Sequence, residues 1–231
     1  MMTRKNILKM AVSLAVLALF VPTVQAGPEL ICWPFEIGGA KSLPWGGSGW
    51  HATRADYDLS RLTADTLALL GRDVPVLVRM ETLRRAAIYA KQNRQAAKEL
   101  LLRLEARAET AAKSQQGDVL ALFDYGYFAE AYKQAMYEER GSQLAADVRG
   151  FDWVARALES RSGDAQLEFG AALVARVSKL REQASAHAGR AVAGAEKDAL
   201  LAQNLVTHAH LLGLRGNNLS EIRSSLTVAK N

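Results

Sequence analysis

From Asp56 to the C-terminus, apolar residues return every three or four positions, and no stretch alternates with a period of two. Val76, Met80, Leu83, Ala87 and Ala90 step by four, three, four and three, and Ala97, Leu101, Leu104, Ala108 and Ala111 do the same. At 3.6 residues per turn such steps put the side chains on one face of a helix. Ahead of them, Leu59, Leu62, Leu67 and Leu70 predict a short helix ending at Gly71, and Val74-Pro75 opens the next, because Pro is tolerated in a first turn. Polar breaks at Lys91–Gln95 and Ser114–Asp118 separate helices. A short apolar piece, Val119–Phe123, leads to a break at Asp124-Tyr125-Gly126 and a helix over Tyr127–Arg140. Gly141 and Gly150 flank a join. Phe151, Val154 and Leu158 form the next face, closed by Ser162-Gly163, and Asp164 reads as an N-cap. Leu173, Val177, Leu180 and Ala184 follow on one face. A long helix over Ala188–Leu212 then stops at Gly213–Asn218, with Ser220 capping a last short one. The pattern predicts an all-α fold.

The stretch from Gly27 to Ala55 is different. It holds three of the five Pro (Pro28, Pro34, Pro44), three of the four Trp (Trp33, Trp45, Trp50) and the run Gly46-Gly47-Ser48-Gly49. Pro removes a backbone donor and Gly weakens a helix interior, so an irregular segment is expected. Its aromatics argue against free disorder. Two readings follow: a strap laying Trp33, Phe35, Trp45 and Trp50 into grooves of the helical body, or an aromatic loop contacting a ligand or partner.

The first 26 residues set the address. Arg4, Lys5 and Lys9 precede an apolar run from Met10 to Val21, and Val24-Gln25-Ala26 approximates the small-residue exit of a signal peptide. A dozen apolar residues falls short of the roughly 20 that span a bilayer. The expectation is cleavage after Ala26 and delivery to a bacterial periplasm or the exterior. The three domains are thus 1–26, 27–55 and 56–231. Removing 26 of the 231 residues leaves 205, enough for one domain with a sizeable core. It also changes the charge. Three of the 29 basic residues and none of the 24 acids lie in the leader, so the remainder is nearly balanced and interspersed, which argues against nucleic acid as a partner.

The breaks at Asn93, Gly126 and Gly163 lie 33 and 37 residues apart, near the period of helix–turn–helix repeats. In Ala121-Leu-Phe-Asp-Tyr-Gly-Tyr-Phe-Ala-Glu-Ala-Tyr132, Gly126 is followed by aromatic Phe128 and then Glu130-Ala131. This resembles the turn and second-helix start of a tetratricopeptide repeat. The resemblance implies a concave array of stacked antiparallel helix hairpins that binds a protein or peptide partner without catalysis. The alternative architecture is an irregular helical bundle.

Candidate chemistry is sparse. Cys32 is the only cysteine, so the chain has no disulfide of its own. It reads as a buried apolar residue beside Trp33, or as a reactive thiol with His51 as its base. His208 and His210, two apart on a helix, point about 200° away from each other and do not make a metal pair. His51 and His187 read as solvated or capping residues. Glu138-Glu139 and Arg84-Arg85 read as solvated helix faces. No catalytic set, metal site or cofactor is expected. The function expected is that of an exported, non-catalytic interaction or scaffold protein of the periplasm or cell envelope. The alternatives are an enzyme with a site between the aromatic segment and the helices, or a small-ligand binder using Trp33, Trp45 and Trp50.

Overall fold

The computed structural model describes residues 28–114, 117–137 and 144–228; the expected signal segment, Met1 to Ala26, and the acidic pair Glu138-Glu139 lie outside them. Among the described residues the fold is all helical, with no strand. The helices are α1 (Leu62–Ala68), α2 (Val76–Ala90), α3 (Arg94–Lys113), α4 (Leu120–Ala135), α5 (Gly150–Ser160), α6 (Ala165–Val177), α7 (Arg181–Gly194), α8 (Ala199–His208) and α9 (Leu219–Val228). None of them is long and apolar enough to cross a membrane.

Local chemistry sets the boundaries. Asn93 caps α3, its Oδ1 accepting from the N–H groups of Gln95 (3.0 Å) and Ala96 (3.1 Å). Asp164 caps α6 through Leu167 N (3.1 Å), and Asp198 caps α8 through Leu201 N (2.9 Å). Each such cap contributes about 1 kcal/mol by satisfying a donor that the helix leaves unpaired. Gly213, at φ +71°, ends the turn after α8 in the left-handed region that a Cβ disfavours.

The helices alternate between two layers. α2, α4 and α6 pack on one another, while α3 packs on α4, α5 on α4 and α6, and α7 on α6. Burial follows this order. Every residue of α2 except Arg85 is buried, whereas α3 buries only a stripe that includes Leu100, Leu101, Leu104, Ala108 and Ala111. The clean steps of three and four read in α3 are those of a one-sided outer helix; α2 is covered on every side. The second cover of the inner layer is the irregular N-terminal strap, residues 28–55. Leu30, Ile31, Phe35 and Leu43 of the strap are buried in the same core as the helices. Full burial of each such side chain is worth about 1.5–3 kcal/mol.

Several expectations need correction. Gly126 is not a turn but lies in the middle of α4, so the apolar piece before it and the helix after it are one element. The glycine is there because α5 comes too close for a side chain. The residue beside the supposed turn, Asp124, is wholly buried and paired with Arg79 Nη1 at 2.6 Å. The face Leu173–Ala184 is cut after Val177, where Lys179 takes φ +63° and Leu180 N returns to the Ala175 carbonyl (2.9 Å). The long helix over Ala188–Leu212 is broken at Asp198, whose carboxylate starts a new helix. Asn218, not Ser220, caps α9, accepting from Glu221 N at 3.0 Å. His187 is not solvated: Glu168 Oε2 stands 2.6 Å from its Nδ1, and both side chains are largely buried.

Two buried charge clusters tie the layers. Arg79 on α2 also reaches the carbonyls of Gly71 (2.5 Å) and Val74 (3.1 Å), and Arg107 on α3 reaches that of Leu70 (3.0 Å). The loop between α1 and α2 is thereby held through α2 and α3 to Asp124 of α4. In the second cluster Glu168 of α6 accepts from Arg190 of α7 at 2.8 Å beside its contact with His187.

Candidate functional site

The strap lies across α2, α4 and α8, and polar side chains of those helices hold its main chain. On α2, Glu81, Arg84, Arg85 and Tyr89 fall at spacings that share a face. Glu81 Oε2 accepts from Arg84 Nε (2.8 Å) and from the N–H of Phe35 (3.0 Å), and its Oε1 accepts from Arg84 Nη2 (2.9 Å) and Arg85 Nε (2.7 Å). Burial pushes the Glu81 carboxyl up, but the hydrogen bonds and charge of Arg84, with Arg85 and the Phe35 N–H, outweigh it and hold the carboxyl below its ordinary range. A bidentate guanidinium–carboxylate pair with further bonds is the arrangement in which a buried charge pair is tolerated.

Having satisfied Glu81, Arg84 uses its remaining nitrogen on the strap. Nη1 donates to the carbonyls of both Ile31 and Trp50, each at 2.9 Å. One guanidinium thus pins both ends of the excursion from Ile31 to Trp50. Arg85 Nη1 holds the Leu43 carbonyl (2.6 Å), and the Tyr89 hydroxyl donates to the Pro44 carbonyl (2.7 Å) while accepting from Arg54 N (3.0 Å). Gln134, near the end of α4, accepts from Leu30 N at 2.7 Å. Asn204 of α8 pairs with both main-chain groups of Glu36, accepting from its N–H (3.0 Å) and donating to its carbonyl (2.9 Å). His208, one turn on, stacks flat on Phe35 with ring centroids 4.7 Å apart and planes at 6°. Its Nδ1 lies 2.8 Å from the Asn204 carbonyl and its Nε2 3.4 Å from that of Trp33. Burial holds the His208 imidazole below its ordinary value, against the pull of those two carbonyls.

The three tryptophans do not form one platform. Trp33 is half-buried with its ring edge-on to His210 (4.4 Å) at the α8 end. Trp45 is half-buried over α2, its ring under the guanidinium carbons of Arg84 (5.0 Å) and Arg85 (5.4 Å) and edge-on to Tyr89 (5.9 Å). Its indole N–H donates to the Gly49 carbonyl (3.0 Å), which shapes the glycine-rich loop. Trp50, at the tip of that loop, remains 41% exposed beside exposed His51, with ring centroids 4.7 Å apart. Of the aromatics expected to lie in grooves, Phe35 does so fully and Trp50 does not. Cys32 is half-buried, not a core residue. The residues that follow Ile31 and Trp50, Cys32 and His51, are half-buried and exposed respectively.

The functional side chains that the sequence concealed are Arg84, Glu81, Gln134, Asn204 and His208. Arg84 was read as solvated, whereas it is wholly buried. The available signal was three charged residues, Arg79, Glu81 and Arg84, in a helix whose remaining faces were too apolar to leave room for a wet side. His208 and His210 turn to different strap residues, Phe35 and Trp33, which is the divergence expected of residues two apart on a helix. In comparison with known proteins, the chain matches no family model, no curated protein and no solved structure.

Proposed function

We propose that this chain is an exported, non-catalytic interaction protein of a bacterial periplasm or cell envelope. In this reading its stacked helices serve as a surface for a protein or peptide partner. The observation that carries the reading is the use made of the helices that face the strap. Side chains of α2, α4 and α8 bind the main chain of an extended, irregular segment. That is the chemistry by which helical arrays take up extended peptides along one side. The leader Met1 to Ala26 supplies the address.

The test is made in the host. A tagged chain should be released with the periplasmic or secreted fraction at a mass lacking residues 1–26. A photocrosslinker placed at exposed Trp50, Leu102 or Tyr137 should then capture one envelope protein from one of these positions and not from the others. Retention of the chain in the cytoplasm, or no specific product from any position, overturns the reading.

A further inference from the structure

His187 of α7 meets two groups through one atom. Glu168 Oε2 of α6 lies 2.6 Å from its Nδ1, and Arg190 Nη2, one turn further along α7, lies 2.6 Å from the same nitrogen. A guanidinium only donates, a carboxylate only accepts, and a ring nitrogen does one or the other. The two contacts therefore cannot both be hydrogen bonds at once. A bare Nδ1 accepts from Arg190 and faces Glu168 lone pair to lone pair. A protonated Nδ1 donates to Glu168 and faces Arg190 hydrogen to hydrogen.

The third side of this triangle does not depend on the ring. Arg190 Nε donates to Glu168 Oε1 at 2.8 Å, so the ion pair stays closed in either case. The ring proton decides only the second attachment of the guanidinium. Glu168 and His187 are the fixed members. Both are buried, and Phe151 of α5 stands edge-on to the imidazole with ring centroids 5.6 Å apart. Arg190 is the member with room to move, its side chain being 52% exposed on the outside of α7.

The other elements around α7 turn their charges elsewhere. Asp152 of α5 pairs with Arg149 (2.7 Å), and Arg156 lies over the Trp153 ring. Arg223 of α9 pairs with Glu196, and Glu221 of α9 with Asn217 N (2.8 Å) and Asn218 Nδ2 (2.6 Å). His210, in the turn after α8, stands against Trp33. Lys197, in the turn after α7, is exposed, as are Arg181 and Glu182 at the start of α7. A neutral imidazole can keep its proton on Nε2 and leave Nδ1 bare, whereas an imidazolium donates from both nitrogens. We infer that Glu168, His187 and Arg190 form a proton switch: the neutral ring holds Arg190 Nη2, and the charged ring turns to Glu168 and releases it, freeing one edge of the guanidinium to the outside of α7. The two-point attachment of Arg190 is present at the higher pH and is lost as the pH falls through the titration of this ring.

Nitrogen NMR of the side chains in the full chain reads both halves of the switch. At about pH 8, above the range in which an ordinary His titrates, His187 should show a bare Nδ1 and a proton on Nε2. Arg190 should show two distinct Nη resonances there, because a guanidinium held at two points does not turn about its Nε–Cζ bond. As the pH is lowered, those two resonances should merge with the same midpoint at which His187 gains its Nδ1 proton. Arg190→Met, at a half-exposed position, should move the proton of the neutral ring to Nδ1, from which it donates to Glu168. The readings on the parent chain stand without the variant. A proton on Nδ1 of the parent at about pH 8 overturns the inference. So do Arg190 Nη resonances that pass through the His187 titration unchanged, and a folded Arg190→Met chain whose neutral His187 keeps Nδ1 bare.

Discussion

A Cβ built on Gly126 would lie 2.3 Å from the carbonyl oxygen of Gly150, and one built on Gly150 would lie 2.5 Å from the carbonyl oxygen of Gly126. The two glycines let α4 and α5 cross with main chain against main chain. Glu130, one turn further along α4, uses the approach: its Oε1 accepts from Gly150 N (2.9 Å) and from Lys133 Nζ (2.9 Å), which in turn reaches the Val148 carbonyl. The start of α5 is thereby fixed to the centre of the inner layer.

Gly126→Ala should therefore destabilise the protein, although helix propensity alone favours Ala by about 1 kcal/mol. The obstructing atom is a backbone oxygen, which moves only if the helices part. Overpacking costs about 1–3 kcal/mol, and separation would also strain the Glu130–Gly150 bond. A net loss on the order of 2 kcal/mol is expected, read as a lower urea midpoint at unchanged slope. A midpoint equal to or above that of the parent chain would show that the crossing has slack.

α3 was legible because it obeys one rule: an apolar stripe on one face, Ala97 to Ala111, behind the polar N-cap Asn93. The inner α4 was not. When a helix is covered on all sides, polarity no longer marks solvent or turns, so Asp124-Tyr125-Gly126 resembled a break while serving as a buried ion pair beside a close contact. The anchors of the strap were hidden for a related reason. Arg84, Asn204 and Gln134 bind main-chain atoms, and a carbonyl carries no residue-specific mark in the partner segment. That the segment was irregular could be read from its Pro and Gly; where it docks depended on pairings up to 175 residues apart.

Arg84→Met should free the strap. It leaves the carbonyls of Ile31 and Trp50 unheld and strips Glu81 of its bidentate partner in a buried site. Removal of one member of a buried pair costs about 3–5 kcal/mol. Arg84→Lys keeps the charge but cannot make both the fork to Glu81 and the two carbonyl bonds, so it should fall between. Limited proteolysis should cut the Met variant first within residues 28–55, with a change in Trp fluorescence. Cleavage at parental rates would show that the apolar side chains hold the strap unaided.

Asp124 makes stability depend on pH in an unusual direction. Burial raises its carboxyl from 3.8 to about 6, against the pull of Arg79 and Arg107, and its Oδ1 accepts no hydrogen bond among the described residues. The folded value lies above the unfolded one, so the native state binds the proton more tightly. The contribution is present below about pH 4 and is lost as pH rises through 6. Two units correspond to about 3 kcal/mol. Asp124→Asn removes this dependence, so the stability difference between parent and variant should shift against the parent from pH 4 to pH 7. A difference constant across that range would place the carboxyl at its ordinary value.

Phe35 and His208 make the opposite case, and one substitution tests both packing and titration. Burial keeps the His208 imidazole below its ordinary value, although its bonds to the Asn204 and Trp33 carbonyls favour the charged form. Here the folded value lies below the unfolded 6.5, so stability is present above that value and is lost as pH falls toward the folded one. Phe35 covers the ring face and excludes water from it. Phe35→Ala removes an aromatic side chain from the core, which costs about 3–5 kcal/mol where His208 is neutral. It also wets the imidazole and lets it take a proton at lower cost in the folded state. The loss caused by the substitution should therefore be smaller at pH 5 than at pH 8, and the His208 ring resonances of the variant should titrate at a higher pH than those of the parent. Equal losses at both pH values, with the titration unmoved, would mean that the rest of the groove keeps His208 dry and that Phe35 contributes packing alone.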